Sequence, residues 1–167
     1  FNLDSIVNIS SFELSKLSSL KKPNKHIAIF HHKDQVLQKQ NFYLVFDRIN
    51  DPGNLGTIIR TCHWFGVDQI ICSVDSVDCY NSKVVQSSMG SLSKVNVVYT
   101  DLIKFIKTTN KKIIGTSLNS NSISDYSFQN FDSVIVFGSE SNGISREIKK
   151  EINDYISIPK TASNSTA

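Results

Sequence analysis

A chain of 167 residues with 40% hydrophobic and 10% aromatic content can bury one ordinary core and is short for two complete domains. Eighteen Lys and Arg against 15 Asp and Glu leave a net charge of +3, which permits nucleic-acid binding without demanding it. No stretch approaches the roughly 18 apolar residues that cross a bilayer, and no charged-then-apolar leader opens the chain, so neither a membrane span nor a secretory signal is expected.

In chain order, residues 1 to about 35 hold a helix candidate and then a modest strand, His26–Phe30, followed by the polar segment His31–Gln40. We expect residues 1–35 to be the remnant of an N-terminal domain with its linker, and 36–167 to be the main domain. From about residue 42, short β-rich apolar runs alternate with helical periods. Strands are expected at Phe42–Asp47, Val67–Ser73, Lys94–Tyr99, Lys112–Ser117, Ser133–Gly138 and Tyr155–Pro159. Leu55, Ile58, Ile59, Cys62 and Phe65 recur at helical spacing, with Asn54 as the expected N-cap and Gly66 as the stop. Further helices are expected over Ser82–Met89, around Leu102, Ile103 and Ile106, and over Ser145–Asn153. Near-continuous apolar runs such as IIC and VIVF suit strands buried on both faces, so the fold class is α/β, a mostly parallel sheet flanked by helices. Cys62, Cys72 and Cys79, odd in number and without CxxC spacing, read as reduced core thiols, which points to an intracellular, cytoplasmic protein and leaves an organelle interior open. Phe1 is not a methionine and the last five residues are a polar tail, so both ends are expected to be cuts through a longer protein.

Two loops each follow a buried strand and open a helix, the place where open α/β sheets bind ligands. The first is DRINDPGNLGTIIR, Asp47 to Arg60, in which Pro52 and Gly53 make a tight turn and Arg60 lies opposite the apolar helix stripe. On spacing alone an ordinary solvated helix arginine accounts for Arg60 at least as well as a ligand-facing one. The second loop is GSESNG, Gly138 to Gly143, where glycines let the backbone approach a flat ligand; alternatively Glu140 is no more than a helix-start charge. His26, His31, His32 and His63 have no partners at metal-ligand spacing, so no metal is expected. GxGxxG, GxxxxGK[ST] and GxSxG are all absent, which counts against dinucleotide, ATP and serine-hydrolase chemistry.

Taken together and in order, DRINDPGNLGTIIRT, KVVQSSMGSLSKVNV, VIVFGSESNGIS and YISIP resemble successive segments of the SpoU branch of the SPOUT RNA methyltransferases, TrmH-like enzymes. The resemblance covers about residues 42 to 159. It implies an α/β fold with a C-terminal trefoil knot, a homodimer, and transfer of a methyl group from S-adenosylmethionine to a ribose 2′-hydroxyl of rRNA or tRNA, without a metal. It implies Asn54, Arg60 and Glu140 as catalytic residues. It implies cofactor contacts from Thr116, Ser117 and Leu118, from Gly138, Ser139, Glu140 and Gly143, and from Ile158 and Pro159. Because an arginine of solution pKa above ~12 is a poor base but a good fork for a phosphate or alkoxide, Arg60 is expected to position and stabilise rather than to take the proton.

One departure matters. The family's third motif continues past the Ile-Pro pair into a Ser-Leu-Asn segment and a last helix, whereas this chain reads KTASNSTA over Lys160–Ala167 and stops. Part of the cofactor pocket, the dimer interface and the threaded end of the knot are therefore expected to be missing. At the other end SSFELSKLSSLKKPNKHIAIF resembles the closing part of a ribosomal-protein-like RNA-binding domain. Two other readings stay open: a non-catalytic RNA-binding or assembly factor that retains the fold, and an unrelated nucleotide-binding α/β enzyme.

Overall fold

The computed structural model describes residues 6–18, 20, 22–128 and 132–159. These fall into two units, one up to Asp34 and one from Gln35 onward. In the first unit a single helix, α1 (Ser11–Leu17), starts at a capping box: the Ser10 hydroxyl accepts from the Glu13 backbone while the Glu13 carboxylate accepts from the Ser10 backbone. The strand expected at His26–Phe30 does not form. Its Ile29 and Phe30 are exposed, and an extended segment that pairs with no strand among the described residues remains irregular.

The second unit is built on six strands: β1 (Phe42–Phe46), β2 (Gln69–Ser73), β3 (Asn96–Thr100), β4 (Lys112–Thr116), β5 (Ser133–Phe137) and β6 (Asp154–Ile156). They form one sheet in the order β3-β2-β1-β5-β4-β6, every pairing parallel. Side chains alternate between two covered faces, as the period of a strand requires. On one face Phe46, Ile70, Cys72 and Val97 pack beneath α2 (Pro52–Trp64) and α3 (Ser82–Ser87). On the other, Tyr43, Val45, Ile71, Val134 and Val136 pack beneath α4 (Leu102–Thr108) and α5 (Arg146–Lys149). The fold class read from the sequence is the one observed; the threaded end of the knot would lie in residues outside those described. No helix among the described residues is long and apolar enough to cross a membrane.

Several boundaries differ from the sequence reading, each for a local reason. The cap of α2 is Asp51, not Asn54: the Asp51 carboxylate accepts from the Asn54 backbone and Pro52 takes the first helical position, where its missing N–H costs nothing. Pro52 and Gly53 are thus helical rather than a separate turn. Phe65, 77% exposed, falls on the C-cap and outside the buried stripe of Leu55, Ile59 and Cys62. Helix α5 stops after Lys149 because Asn153 pairs with β4: its backbone N–H donates to the Ile113 carbonyl, and its side chain accepts from the Ile113 N–H. Strand β6 ends at Ile156, and Ser157 then pairs with Asn121 and Ser122.

Residues 35–40, most of the polar segment that opens the main domain, have no helix or strand but are bonded to the sheet. Gln69 accepts from the Gln38 N–H at 2.8 Å and donates to the Gln38 carbonyl at 3.0 Å, so a buried amide side chain pairs as a strand would. The three cysteines are free and buried, as read from the sequence, and burial pushes the Cys62 thiol up to about 11.

Candidate active site

Because all six strands are parallel, their carboxyl ends share one edge, and the sheet order sets β1, β5, β4 and β6 side by side along it. The loops that follow these four strands are therefore neighbours, although they are far apart in sequence. The chain reverses its direction of sheet-building between β1 and β5, the switch point at which such sheets open a crevice. A cleft of about 220 Å³ lies there, lined by Arg48, Asp51, Asn54, Ser139 and Glu140 among others.

Asn54 reaches this cleft because Asp51 caps α2. With its backbone N–H held by Asp51 at 2.7 Å, the Asn54 side chain is left to project, and its Nδ2 donates to Glu140 Oε2 at 3.1 Å. That bond joins the two loops singled out in the sequence across 86 residues. Arg60 is exposed and makes no hydrogen bond or ion pair among the described residues, and it does not line the cleft. Six residues beyond Asn54 on α2, it sits about 9 Å further along the axis and about a third of a turn around it.

The second loop is held closed by its own backbone. Ser139 and Gly143 exchange hydrogen bonds at 3.1 and 2.8 Å, and Gly143 has φ +64. A Cβ at Gly138 would run into the backbone of Gly143 and Ile144, so glycine is demanded there by loop closure rather than by the approach of a flat ligand.

Asp47 and Arg48 were not singled out by sequence reasoning, although a charged pair straight after the FYLVF strand was the available signal. Asp47 is 3% exposed, and its Oδ2 accepts from the Ser145 backbone at 2.6 Å, tying the end of β1 to the far end of the second loop. Arg48 has φ +57, in the left-handed region that costs a non-glycine residue about 1–2 kcal/mol. The conformation aims its N–H at Ser73 Oγ (2.9 Å) and lets Ile49 donate to Ser76 Oγ (3.1 Å), which fastens the first loop to the end of β2.

The residues proposed for the cofactor fall at the ends of β4, β5 and β6. Thr116 Oγ1 donates to the Val136 carbonyl at 3.1 Å, and the Ser117 N–H donates to Ile156 at 2.9 Å. Leu118 and Ile158 are 82% and 67% exposed. Bare apolar side chains at adjacent strand ends, beside loops with polar backbone edges, suit a ligand that joins a flat base to a polar tail. No group of three or more His, Cys, Asp and Glu able to hold a metal occurs among the described residues.

A family model described as the SpoU rRNA Methylase family matches residues 41–166. The chain is 26% identical over 155 residues to the 23S rRNA (guanosine(2553)-2′-O)-methyltransferase RlmP of Bacillus subtilis, a match covering 90% of this chain and 62% of that protein. The fold superposes on the AdoMet-bound rRNA methyltransferase of Sinorhizobium meliloti with a TM-score of 0.67 at 26% identity, covering 78% of this chain and 51% of that one. It superposes on the SpoU methyltransferase AviRb of Streptomyces viridochromogenes, in complex with AdoMet, with a TM-score of 0.66 at 26% identity, covering 78% and 55%. The chain thus spans roughly half to three-fifths of the length of these proteins.

Proposed function

The chain belongs to the SpoU rRNA methylase family, and from that premise we propose that it transfers a methyl group from S-adenosylmethionine to a ribose 2′-hydroxyl of structured RNA, rRNA or tRNA. The observation that carries the site is the Asn54–Glu140 hydrogen bond, which makes one cleft of the two family segments at the switch point of the sheet. Residues 36–167 form the catalytic domain on this reading, and 1–35 close an RNA-binding domain. The whole protein is a homodimer.

When bound, S-adenosylmethionine supplies a methyl group already activated on a sulfonium. Thr116, Ser117 and Leu118, the Gly138–Gly143 loop, and Ile158 with Pro159 would hold it; they follow three adjacent strands, β4, β5 and β6. The 2′-hydroxyl must be aligned and lose its proton as it attacks, so the site needs orientation and positive charge. Asn54 and Glu140 hold each other's side chains in one orientation at the reacting cleft. Arg60, permanently charged and without a partner among the described residues, is free to take up a phosphate or the developing alkoxide.

The test is transfer of labelled methyl from S-adenosylmethionine to RNA by the full-length protein, followed by digestion to nucleosides. A 2′-O-methylated nucleoside, lost with Arg60→Ala, is expected. Methylation of a base would overturn the ribose assignment, and RNA binding without transfer would favour the non-catalytic RNA-binding reading.

A further inference from the structure

We propose that Arg48 is an RNA-binding residue of this cleft, its guanidinium taking a backbone phosphate beside the reacting ribose. The inference rests on the RNA methyltransferase reading and adds a residue to it. Three observations converge. First, among the described residues that line the cleft, Arg48 is the sole cation, set against Asp51 and Glu140. A polyanion entering there meets two carboxylates and needs a positive charge to offset them. Second, Arg48 Nε is buried without a hydrogen-bond partner, and buried donors left open in a folded protein call for an explanation. Its one charged neighbour there, among the described residues, is Asp47, with which it forms an ion pair at 3.4 Å (Nε to Oδ1) but no hydrogen bond, and the other oxygen of that carboxylate is engaged by Ser145. The Arg48 side chain makes no hydrogen bond among the described residues, is about one-third exposed, and lines the cleft. Third, its backbone is held at φ +57, where glycine would be unstrained, so the chain keeps a large cation at a position whose conformation disfavours it.

A planar fork with several donors matches a phosphate better than any other group RNA presents. Of the three proposed cofactor loops, only the one after β5 shares this cleft with Arg48. Arg48 is fastened to the end of β2 through Ser73, whereas the proposed cofactor loops end β5, β4 and β6 on the other side of β1.

The same substitution that removes the fork also removes the strain, which makes Arg48→Gly the informative variant. In full-length protein we expect Arg48→Gly to raise the RNA dissociation constant, read by filter binding, roughly tenfold or more. The slope of log affinity against log salt should fall by about one, and S-adenosylmethionine affinity, read by calorimetry, should not change. Arg48→Lys keeps a charge beside Asp47 and guards against loss of the fold; its RNA affinity should lie between the two. If Arg48 serves only as counter-charge to Asp47, Arg48→Gly will melt earlier with RNA affinity and salt slope unchanged, and the proposal fails. Weaker S-adenosylmethionine binding with RNA affinity intact would place the fork on the cofactor carboxylate and likewise overturn it. Because RNA binding is read without turnover, a wild-type protein that binds RNA but transfers no methyl group sinks the methyltransferase reading and leaves the Arg48 comparison to be judged on its own result.

Discussion

The two ends of the sheet differ in how their charges are used. At the amino ends of β4, β5 and β6, Lys112 Nζ lies 2.5 Å from Asp154 Oδ2, the Tyr126 hydroxyl donates to the same carboxylate at 2.8 Å, and Lys111 pairs with Asp132. At the carboxyl ends, Arg48 Nε and Arg60 make no hydrogen bond among the described residues, and Asn54 and Glu140 bond mainly to each other. The amino-end hollow, lined by Lys112, Tyr126 and Asp132 among others, measures about 250 Å³, slightly more than the carboxyl-end cleft at about 220 Å³. Volume therefore does not distinguish the two. Charge whose hydrogen bonds are all spent on neighbouring strands holds them in register, whereas charge that keeps donors open at a switch point is available to a ligand.

The contrast is sharpest for Arg60→Ala. Methyl transfer should fall at least about a hundredfold, as when an electrostatic group at a reacting centre is removed, while the melting free energy changes by less than about 0.5 kcal/mol because the side chain is exposed. A comparable loss of stability would show Arg60 to be structural. Gly138→Ala should cost roughly 3 kcal/mol in denaturant unfolding, since its Cβ meets backbone that cannot move without opening the loop. A neutral result would mean that the loop is not closed on itself in solution. Asp47→Ala strands the Ser145 N–H and should cost about 2 kcal/mol in the same assay. It should also weaken S-adenosylmethionine binding, which a purely structural loss far from the cofactor would leave alone.

The smallest effect belongs to the amino end. Hydrogen bonds from Lys112, and then from Tyr126, hold the Asp154 carboxyl below its ordinary value of 3.8. A depressed carboxyl contributes stability that is present above its unfolded value and lost as pH falls through the folded one. The gap in melting temperature between wild type and Asp154→Asn should therefore be small and constant above about pH 5 and close progressively as pH falls through 3.8 and below. A gap that persists at lower pH would contradict the assigned cause. Methyl transfer near neutral pH should not change.

Much of the sheet was legible because parallel strands buried on both faces leave unbroken apolar runs: QIIC and SVIVF could be placed within two residues. Ends were read less well, because tertiary partners decide them. Nothing in the sequence near residue 150 signals that Asn153 will pair with Ile113, and Asn54 looks as good a cap as Asp51 until Pro52 is given the first helical position. The strand expected at His26–Phe30 failed because a strand needs a neighbour that the pattern alone does not supply. In the site, the residue types at Asn54 and Glu140 were legible, but their hydrogen bond depends on β1 and β5 being adjacent. Arg48 was overlooked because an arginine after a strand looks solvated; its left-handed backbone and orphaned Nε are visible only in three dimensions.

The carboxyl-end cleft is a working site only if its two loops act as one unit, and a double-mutant cycle on single-turnover methyl transfer measures this directly. With Asn54→Ala, Glu140→Gln and the double variant compared, the account predicts that the second substitution adds little to the first, with a coupling of about 1 kcal/mol or more. Strictly additive losses, or no loss in either single variant, would show that the hydrogen bond between Asn54 and Glu140 does not serve the reaction.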